Sequence, residues 1–134
     1  MIVVDASVLI TALAEDSEDG RHVRSRLVRD KLVAPQIVDL EVMSVLRRSV
    51  RTGRMSQQRA ASAVADLIDL PFERSDHRPL LGRCWQLHEN LTTYDAAYVA
   101  LAELLDVPLL TADVSLARAP GIRCAVEVLT PPAS

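Results

Sequence analysis

Four acidic residues lie beside apolar segments, at positions where the sequence predicts a strand end or a helix start. They are Asp5, Glu41, Asp95 and Asp113. A carboxylate next to a buried segment is costly to desolvate unless a positive charge accompanies it. The chain has one lysine, Lys31, so ammonium groups cannot neutralise all four acids. A divalent cation is the simplest shared partner, and an all-oxygen ligand set favours Mg²⁺ or Mn²⁺.

Three of these acids also have an ordinary structural explanation. Asp5 can cap the helix that follows the first predicted strand, since aspartate is a favoured N-cap. Asp95 lies three residues after Thr92, the spacing of a capping box with Asp in place of Glu. Asp113 can cap a short helix over 114–117. Taken one at a time, capping and metal binding both remain open for these residues.

Glu41 has no capping role, because it lies about one turn inside a predicted helix. Residues three and four positions apart share a helix face, and on this face Glu41 is accompanied by Ile37, Leu40, Ser44 and Val45. The alternative is a salt bridge to an arginine of a neighbouring helix, although buried ion pairs often contribute little stability. One shared metal site accounts for all four acids together.

Two hydroxyl residues accompany the acids. Ser7 and Thr111 each lie two residues from an acid, Asp5 and Asp113 respectively. Each can support the site by hydrogen-bonding a carboxylate or a phosphate, or can bond only its own backbone in a turn. By contrast, the histidines and cysteines show no metal-ligand spacing, which favours surface, structural or buried apolar roles for them.

Composition leaves the substrate open. The 134 residues are 49% hydrophobic, which predicts one domain, residues 1–134, with a sizeable core. The formal charge of −3 neither supports nor excludes a nucleic-acid ligand. Arginine suits phosphate contacts, but its abundance can also reflect compositional bias. The candidates for such contacts are Arg47, Arg48, Arg51 and Arg54, or Arg21, Arg24 and Arg26.

The N-terminal residues lack the basic segment of a signal peptide, and no apolar run approaches membrane-spanning length. Two cysteines far apart in sequence are typical of a reducing compartment. We therefore expect a cytoplasmic protein without membrane association.

Strands and helices alternate along the chain. Strands are predicted at 1–5, 32–34, 71–74 (an edge strand), 108–111 and 122–129, and helices at 7–14, 20–30, 37–51, 57–69, 79–90, 93–105 and 114–117, with a frayed tail at 131–134. This order favours an α/β layer fold with a mostly parallel sheet. Ligands of such folds bind outside the carboxyl ends of the strands. Asp5 and Asp113 fall at such ends, so we expect the four acids to converge there.

These segments resemble the successive motifs of a PIN domain, and more narrowly the VapC toxins of bacterial toxin–antitoxin pairs. The matching segments are Val3-Val4-Asp5-Ala6-Ser7-Val8-Leu9, Asp39-Leu40-Glu41-Val42, Leu91 to Ala102 around Asp95, and Leu109-Leu110-Thr111-Ala112-Asp113. The resemblance covers essentially the whole chain. One departure is that no further acid follows Asp113 within four residues, which leaves one or two metal ions open.

The resemblance implies a three-layer α/β/α fold with about five strands and a Mg²⁺-dependent endoribonuclease, with Mn²⁺ as a second candidate ion. It maps Asp5, Glu41, Asp95 and Asp113 onto the family's acidic quartet and Thr111 onto its neighbouring hydroxyl. It also implies an RNA substrate, a homodimer and a VapB-like antitoxin whose C-terminal segment blocks the acidic groove. Hydrolysis by an activated water would leave a 5′-phosphate and a 3′-hydroxyl.

Other functions are weighed against this one. An RNA-processing nuclease of the same family that is not a toxin would lack a neighbouring antitoxin gene. A catalytically silent RNA- or protein-binding module would be expected to have lost one or more of the four acids. Phosphotransfer on Asp5 generally needs a late lysine, and the only lysine is Lys31.

Overall fold

The computed structural model describes residues 1–129, so the predicted tail at 131–134 lies outside the described residues. Five short strands form one sheet: β1 (Ile2–Val4), β2 (Leu32–Pro35), β3 (Glu73–Ser75), β4 (Leu109–Thr111) and β5 (Val126–Val128). Their order is β3-β2-β1-β4-β5, and every pairing is parallel. The predicted parallel sheet and its edge strand near residue 73 are confirmed.

Helices connect the strands. They are α1 (Ala6–Ala14), α2 (Glu18–Leu27), α3 (Ile37–Arg51), α4 (Gln57–Asp69), α5 (Leu81–Gln86), α6 (Thr93–Leu105) and α7 (Val114–Ala117), with a 3₁₀ turn at Arg78–Leu80 before α5. Helix α1 packs against α2, α3 and α4, whereas α5 packs against α6. Two groups of helices thus flank the sheet, and the three-layer α/β/α architecture is confirmed.

The core lies at the middle of the sheet. Strands β1 and β4 are buried along their whole length, as expected for parallel strands covered on both faces. Helix α6 is buried continuously from Ala96 to Ala102, and its interior face packs on β1, β2 and β4. Among the described residues no helix combines the length and the apolar composition needed to cross a bilayer.

Two helix predictions differ from the structure. Helix α2 begins at Glu18, two residues earlier than predicted, with acidic residues in its first turn, and it ends at Leu27, three residues earlier than predicted. Position 20 of this helix requires glycine, because a Cβ there would stand 2.0 Å from the carbonyl oxygen of Glu15. The helix predicted over 79–90 ends at Gln86, where the backbone of Leu87 leaves the helical region and turn hydrogen bonds follow.

The sheet reverses its direction of growth between β1 and β4. From β1 the chain adds β2 and β3 on one side, then β4 and β5 on the other. This is the position at which open α/β sheets leave a crevice outside their strand ends. Asp5 directly follows β1, and Thr111 is the last residue of β4. The fold therefore brings two of the predicted site residues to that crevice.

Candidate active site

Asp5 lies at the centre of the crevice and is 8% exposed. It is the N-cap of α1, and its Oδ1 accepts hydrogen bonds from the backbone N–H of Val8 at 3.2 Å and from the hydroxyl of Ser7 at 2.6 Å. Its Oδ2 accepts from the hydroxyl of Thr111. The capping role suggested by the sequence is therefore real, and it fixes the orientation of the carboxylate.

The two predicted hydroxyl residues join the ends of β1 and β4. Thr111 is fully buried; besides donating to Asp5, its hydroxyl accepts from the backbone N–H of Asp113 at 3.0 Å. The Ser7 hydroxyl accepts from the N–H of Ala112 at 3.2 Å. Both hydroxyl groups donate to Asp5, and Thr111 also holds the backbone of Asp113.

Glu41 lies on the face of α3 that borders the crevice. The core face of α3 is formed by Val38, Val42 and Leu46, whereas Leu40 is 64% exposed. The face of α3 that carries Glu41 therefore borders the cleft and does not pack in the core. Its Oε1 accepts a hydrogen bond of 2.5 Å from the hydroxyl of Tyr98 in α6. Within the described residues no arginine pairs with Glu41, so the salt-bridge alternative is wrong.

Asp95 and Asp113 lie at the starts of α6 and α7. The Thr92 hydroxyl caps α6 by accepting from the N–H of Asp95 at 3.2 Å, which is one of the two hydrogen bonds of a capping box. Asp113 is exposed and caps α7, with its Oδ1 accepting from the N–H and the hydroxyl of Ser115 at 2.9 and 2.7 Å. Capping is therefore part of the role of both segments.

All four acids border one open cleft of about 510 Å³. Its lining residues are Asp5, Ala6, Ser7, Ile10, Ile37, Leu40, Glu41, Ser44, Val45, Arg48, Tyr94, Asp95, Tyr98 and Asp113. The cleft runs between α3 on one side and the start of α6 on the other. The four acids that the sequence singled out therefore line the same cleft.

The electrostatics of the cleft disfavour charge on three of its acids. Burial raises the pKa of Asp5, and the charge of Asp95 raises it further despite three hydrogen bonds that act the other way. Burial also raises the pKa of Glu41, with Asp95 and Asp5 adding to the effect. The pKa of Asp95 is raised by burial and by Asp113. Acids that repel one another in a partly dry cleft are a favourable environment for a cation.

The donor set suits a hard cation by its chemistry, since it consists of carboxylate and hydroxyl oxygens. The side chains, however, are not gathered around one point. Within residues 1–129, no group of three or more His, Cys, Asp and Glu side chains is positioned to hold a metal ion. Instead, oxygens of Asp5, Glu41 and Asp113 accept hydrogen bonds from hydroxyl and N–H groups. Joint coordination would require these side chains to move closer together.

Sequence reasoning missed Tyr98 and did not distinguish Arg48 among the arginines. Tyr98 is 1% exposed, and in the sequence it lies within a continuous apolar segment. Its spacing of three residues from Asp95 places both on neighbouring parts of one helix face, which could have indicated the role. The α2 candidates Arg24 and Arg26 are occupied elsewhere, with backbone carbonyls and with Asp30 and Glu127 respectively.

Comparison with known proteins identifies the family. Residues 2–122 match the PIN domain family model. Ribonuclease VapC1 of Mycobacterium tuberculosis is 42% identical over 128 residues, which cover 95% of this chain and 96% of the relative. The chain is a PIN domain of the VapC ribonuclease family. The resemblance noted in the sequence is therefore confirmed.

Solved structures agree with this PIN fold. PAE2754 from Pyrobaculum aerophilum superposes with a TM-score of 0.68 at 27% identity, covering 95% of this chain and 83% of that chain. VapBC2 from Rickettsia felis, bound to a DNA fragment from its promoter, gives a TM-score of 0.70 at 13% identity. It covers 97% of this chain and all of the matched chain, and at that identity it shows the fold alone.

The hydrogen bond between Tyr98 and Glu41 is expected to contribute to RNA cleavage. We expect Tyr98→Phe to lower RNA cleavage about 10-fold, because groups that orient the ligands of an acidic site usually contribute at that scale. The lost hydrogen bond should cost only about 1 kcal/mol of unfolding free energy. Single-turnover cleavage and thermal unfolding measure the two effects separately.

A double-mutant cycle with Glu41→Gln is the control for Tyr98. If Tyr98 acts through Glu41, then Tyr98→Phe should have little further effect on cleavage in the Glu41→Gln background. Equal losses of activity in both backgrounds would show that the tyrosine hydroxyl acts independently of Glu41.

Proposed function

We propose that this chain is the toxin of a type II toxin–antitoxin pair, a Mg²⁺-dependent endoribonuclease that inhibits translation and growth. The observation that carries this proposal is the shared cleft, which is bordered by Asp5, Glu41, Asp95 and Asp113. Three of these acids have raised pKa values, caused by burial and by their neighbours' charges. Mn²⁺ is the second candidate ion, since it accepts the same oxygen ligands.

The roles of the residues follow from their positions. Asp5, Glu41, Asp95 and Asp113 would hold the cation, and Thr111 and Ser7 would orient Asp5. When bound, such a cation lowers the pKa of water and neutralises charge that develops on the attacked phosphate. One carboxylate would accept the proton of the attacking water. Water oxygen bonds to phosphorus, the bond to the 3′-oxygen breaks, and that oxygen takes up a proton, leaving a 5′-phosphate and a 3′-hydroxyl.

The proposed partners are a second copy of this chain and a VapB-like antitoxin. The name of VapBC2 from Rickettsia felis, one of the similar structures, denotes a VapB–VapC pair. The acidic cleft is open to solvent between α3 and α6, and it would accept an arginine from an antitoxin segment, because arginine pairs with carboxylates through two hydrogen bonds. We place this function in the bacterial cytoplasm, where RNA and antitoxin are both available.

The function is tested without presupposing the RNA. Wild type and Asp5→Asn are induced briefly in bacterial cells, and new RNA ends carrying a 5′-monophosphate are mapped across the transcriptome. We expect discrete new ends together with growth arrest for wild type, and neither for Asp5→Asn. The sequence around the new ends would then identify the target.

The same experiment separates the alternatives. No new ends and no arrest, with both proteins well expressed, would contradict the toxin nuclease and favour a binding module. New ends without arrest would favour an RNA-processing enzyme over a toxin. A small antitoxin gene beside the toxin gene is the genomic observation expected from this proposal.

A further inference from the structure

We propose that four arginines of α3 and the turn after it bind phosphates of a single-stranded RNA segment that leaves the acidic cleft. They are Arg47, Arg48, Arg51 and Arg54, hereafter the α3 arginine tract. The inference rests on the proposed ribonuclease function and adds a substrate-binding surface to it. It concerns the phosphodiester backbone, so it implies no base preference.

The tract differs from the arginines that stabilise the fold. Within the described part of the chain, five arginines donate to carboxylates or backbone carbonyls of other elements: Arg24, Arg26, Arg59, Arg74 and Arg83. The four tract side chains are all exposed, and within residues 1–129 none of them makes a hydrogen bond or an ion pair. Their guanidinium groups are therefore available to a ligand.

The tract also continues directly from the acidic site. Arg48 follows Glu41 by seven residues, two helical turns, so the two side chains lie on the same face of α3, about 10 Å apart along its axis. Both line the same cleft. Arg51 follows Arg48 by three residues and extends the same stripe toward the end of the helix.

Charge explains why such a tract is needed. Four acids border the cleft, and among the described residues that line it Arg48 is the sole lysine or arginine. An RNA approaching the acids is repelled unless positive charge lies beside its path. Arginine suits this role because its planar group binds phosphate oxygens through two hydrogen bonds. Across the cleft, Tyr94 is 57% exposed, which suits stacking of an unpaired base.

The test measures RNA binding in the absence of cleavage. The double variant Arg48→Gln/Arg51→Gln is made in the Asp5→Asn background, and its binding to a labelled single-stranded oligouridylate is followed by fluorescence anisotropy at several salt concentrations. The matched control is Arg21→Gln/Arg29→Gln. It removes the same charge from two exposed arginines, one in α2 and one in the turn after it, which do not line the cleft.

Loss of two phosphate contacts should reduce the slope of log affinity against log salt by about 1.4, since each contact to a single strand contributes about 0.7. We expect the tract variant to show this reduction and to bind roughly 10-fold more weakly at low salt, while the control keeps the slope of its parent. An unchanged slope in the tract variant, or an equal loss in the control, would overturn the proposal.

Failure of the tract and failure of the proposed function are distinguishable. If only the tract proposal is wrong, the wild-type protein cleaves RNA in cells, but the tract variant shows the same salt dependence of RNA binding as its Asp5→Asn parent. The surface would then be available to a protein partner. If the proposed function is wrong, wild type produces no new RNA ends, whatever the salt dependence of binding.

Discussion

Asp95→Asn is expected to lower RNA cleavage at least about 100-fold while the chain still folds. Loss of about 3 kcal/mol of transition-state stabilisation gives a change of this size, and removal of a single strong electrostatic contact at an active site commonly costs that much. Folding should be preserved because the structural hydrogen bond at this position uses the backbone N–H of Asp95, which asparagine retains. In vitro cleavage with Mg²⁺, together with circular dichroism, measures both properties.

The matched control for Asp95→Asn is Asp66→Asn, the same chemical change at an exposed position of α4 away from the cleft. We expect this control to cleave RNA at the rate of wild type. Full activity in Asp95→Asn would refute the assignment of the acidic quartet. Asp5→Asn, Glu41→Gln and Asp113→Asn should show losses in the same direction.

Divalent cations should stabilise the wild-type protein at neutral pH much more than at acidic pH. At a free Mg²⁺ concentration of about 100 times its dissociation constant, the expected gain in unfolding free energy is about 2.7 kcal/mol. A bound cation would relieve repulsion between the ionised acids, and protonation at low pH would remove both the repulsion and the ligands. Thermal unfolding with Mg²⁺ or with a chelator, at pH values on both sides of this titration, measures the effect.

The direction of the pH effect follows from the raised pKa values in the cleft. Asp5 and Asp95 have pKa values above the ordinary 3.8, and that of Glu41 lies above 4.5. Between the ordinary and the raised values the folded state binds more protons than the unfolded state. Metal-free stability contributed by these groups is therefore lost as the pH rises through that window.

Paired acids elsewhere act in the opposite direction. Arg26 holds the pKa of Asp30 and Glu127 low, and a hydrogen bond from Arg83 does so for Glu103. Their contribution is lost as the pH falls. The difference between wild type and Asp95→Asn isolates the cleft, and we expect the variant to gain stability relative to wild type as the pH rises. A constant difference, and an equal effect of Mg²⁺ on both proteins, would contradict the proposed cation site.

Much of the fold could be predicted because local signals and global packing agree. The apolar segments around β1 and β4 predict strands buried on both faces, and α6 is marked by the Thr92 cap and a continuous apolar helix. The end of α5 could not be predicted, because the turn after Leu87 depends on backbone hydrogen bonds and not on a proline or glycine at that position. The start of α2 was also misplaced, because Gly20 lies within the helix at a close backbone contact with Glu15, which the sequence does not show.

The residues of the candidate site could be selected from the sequence, but the hydrogen bonds between them could not. Residue types and spacing indicated four acids and two hydroxyl groups. The sequence could not show that Thr111 donates to Asp5, or that Glu41 is held by Tyr98, because these pairs are joined only by tertiary packing. The sequence also could not show which face of α3 is open. The apolar residues beside Glu41 suggest that this face packs in the core, whereas Glu41 and Leu40 border the cleft.

The hydrogen bond between Thr111 and Asp5 joins residues 106 positions apart. At a synthesis rate of about 5–20 residues per second, the ribosome makes these two residues roughly 5 to 20 seconds apart. A nascent chain that ends before β4 already carries Asp5, Glu41 and Asp95, yet it lacks the strand that holds Asp5 in place. The acidic cleft can therefore be completed only late in translation, and incomplete products of an interrupted synthesis would contain three of the four acids without the strand that positions Asp5.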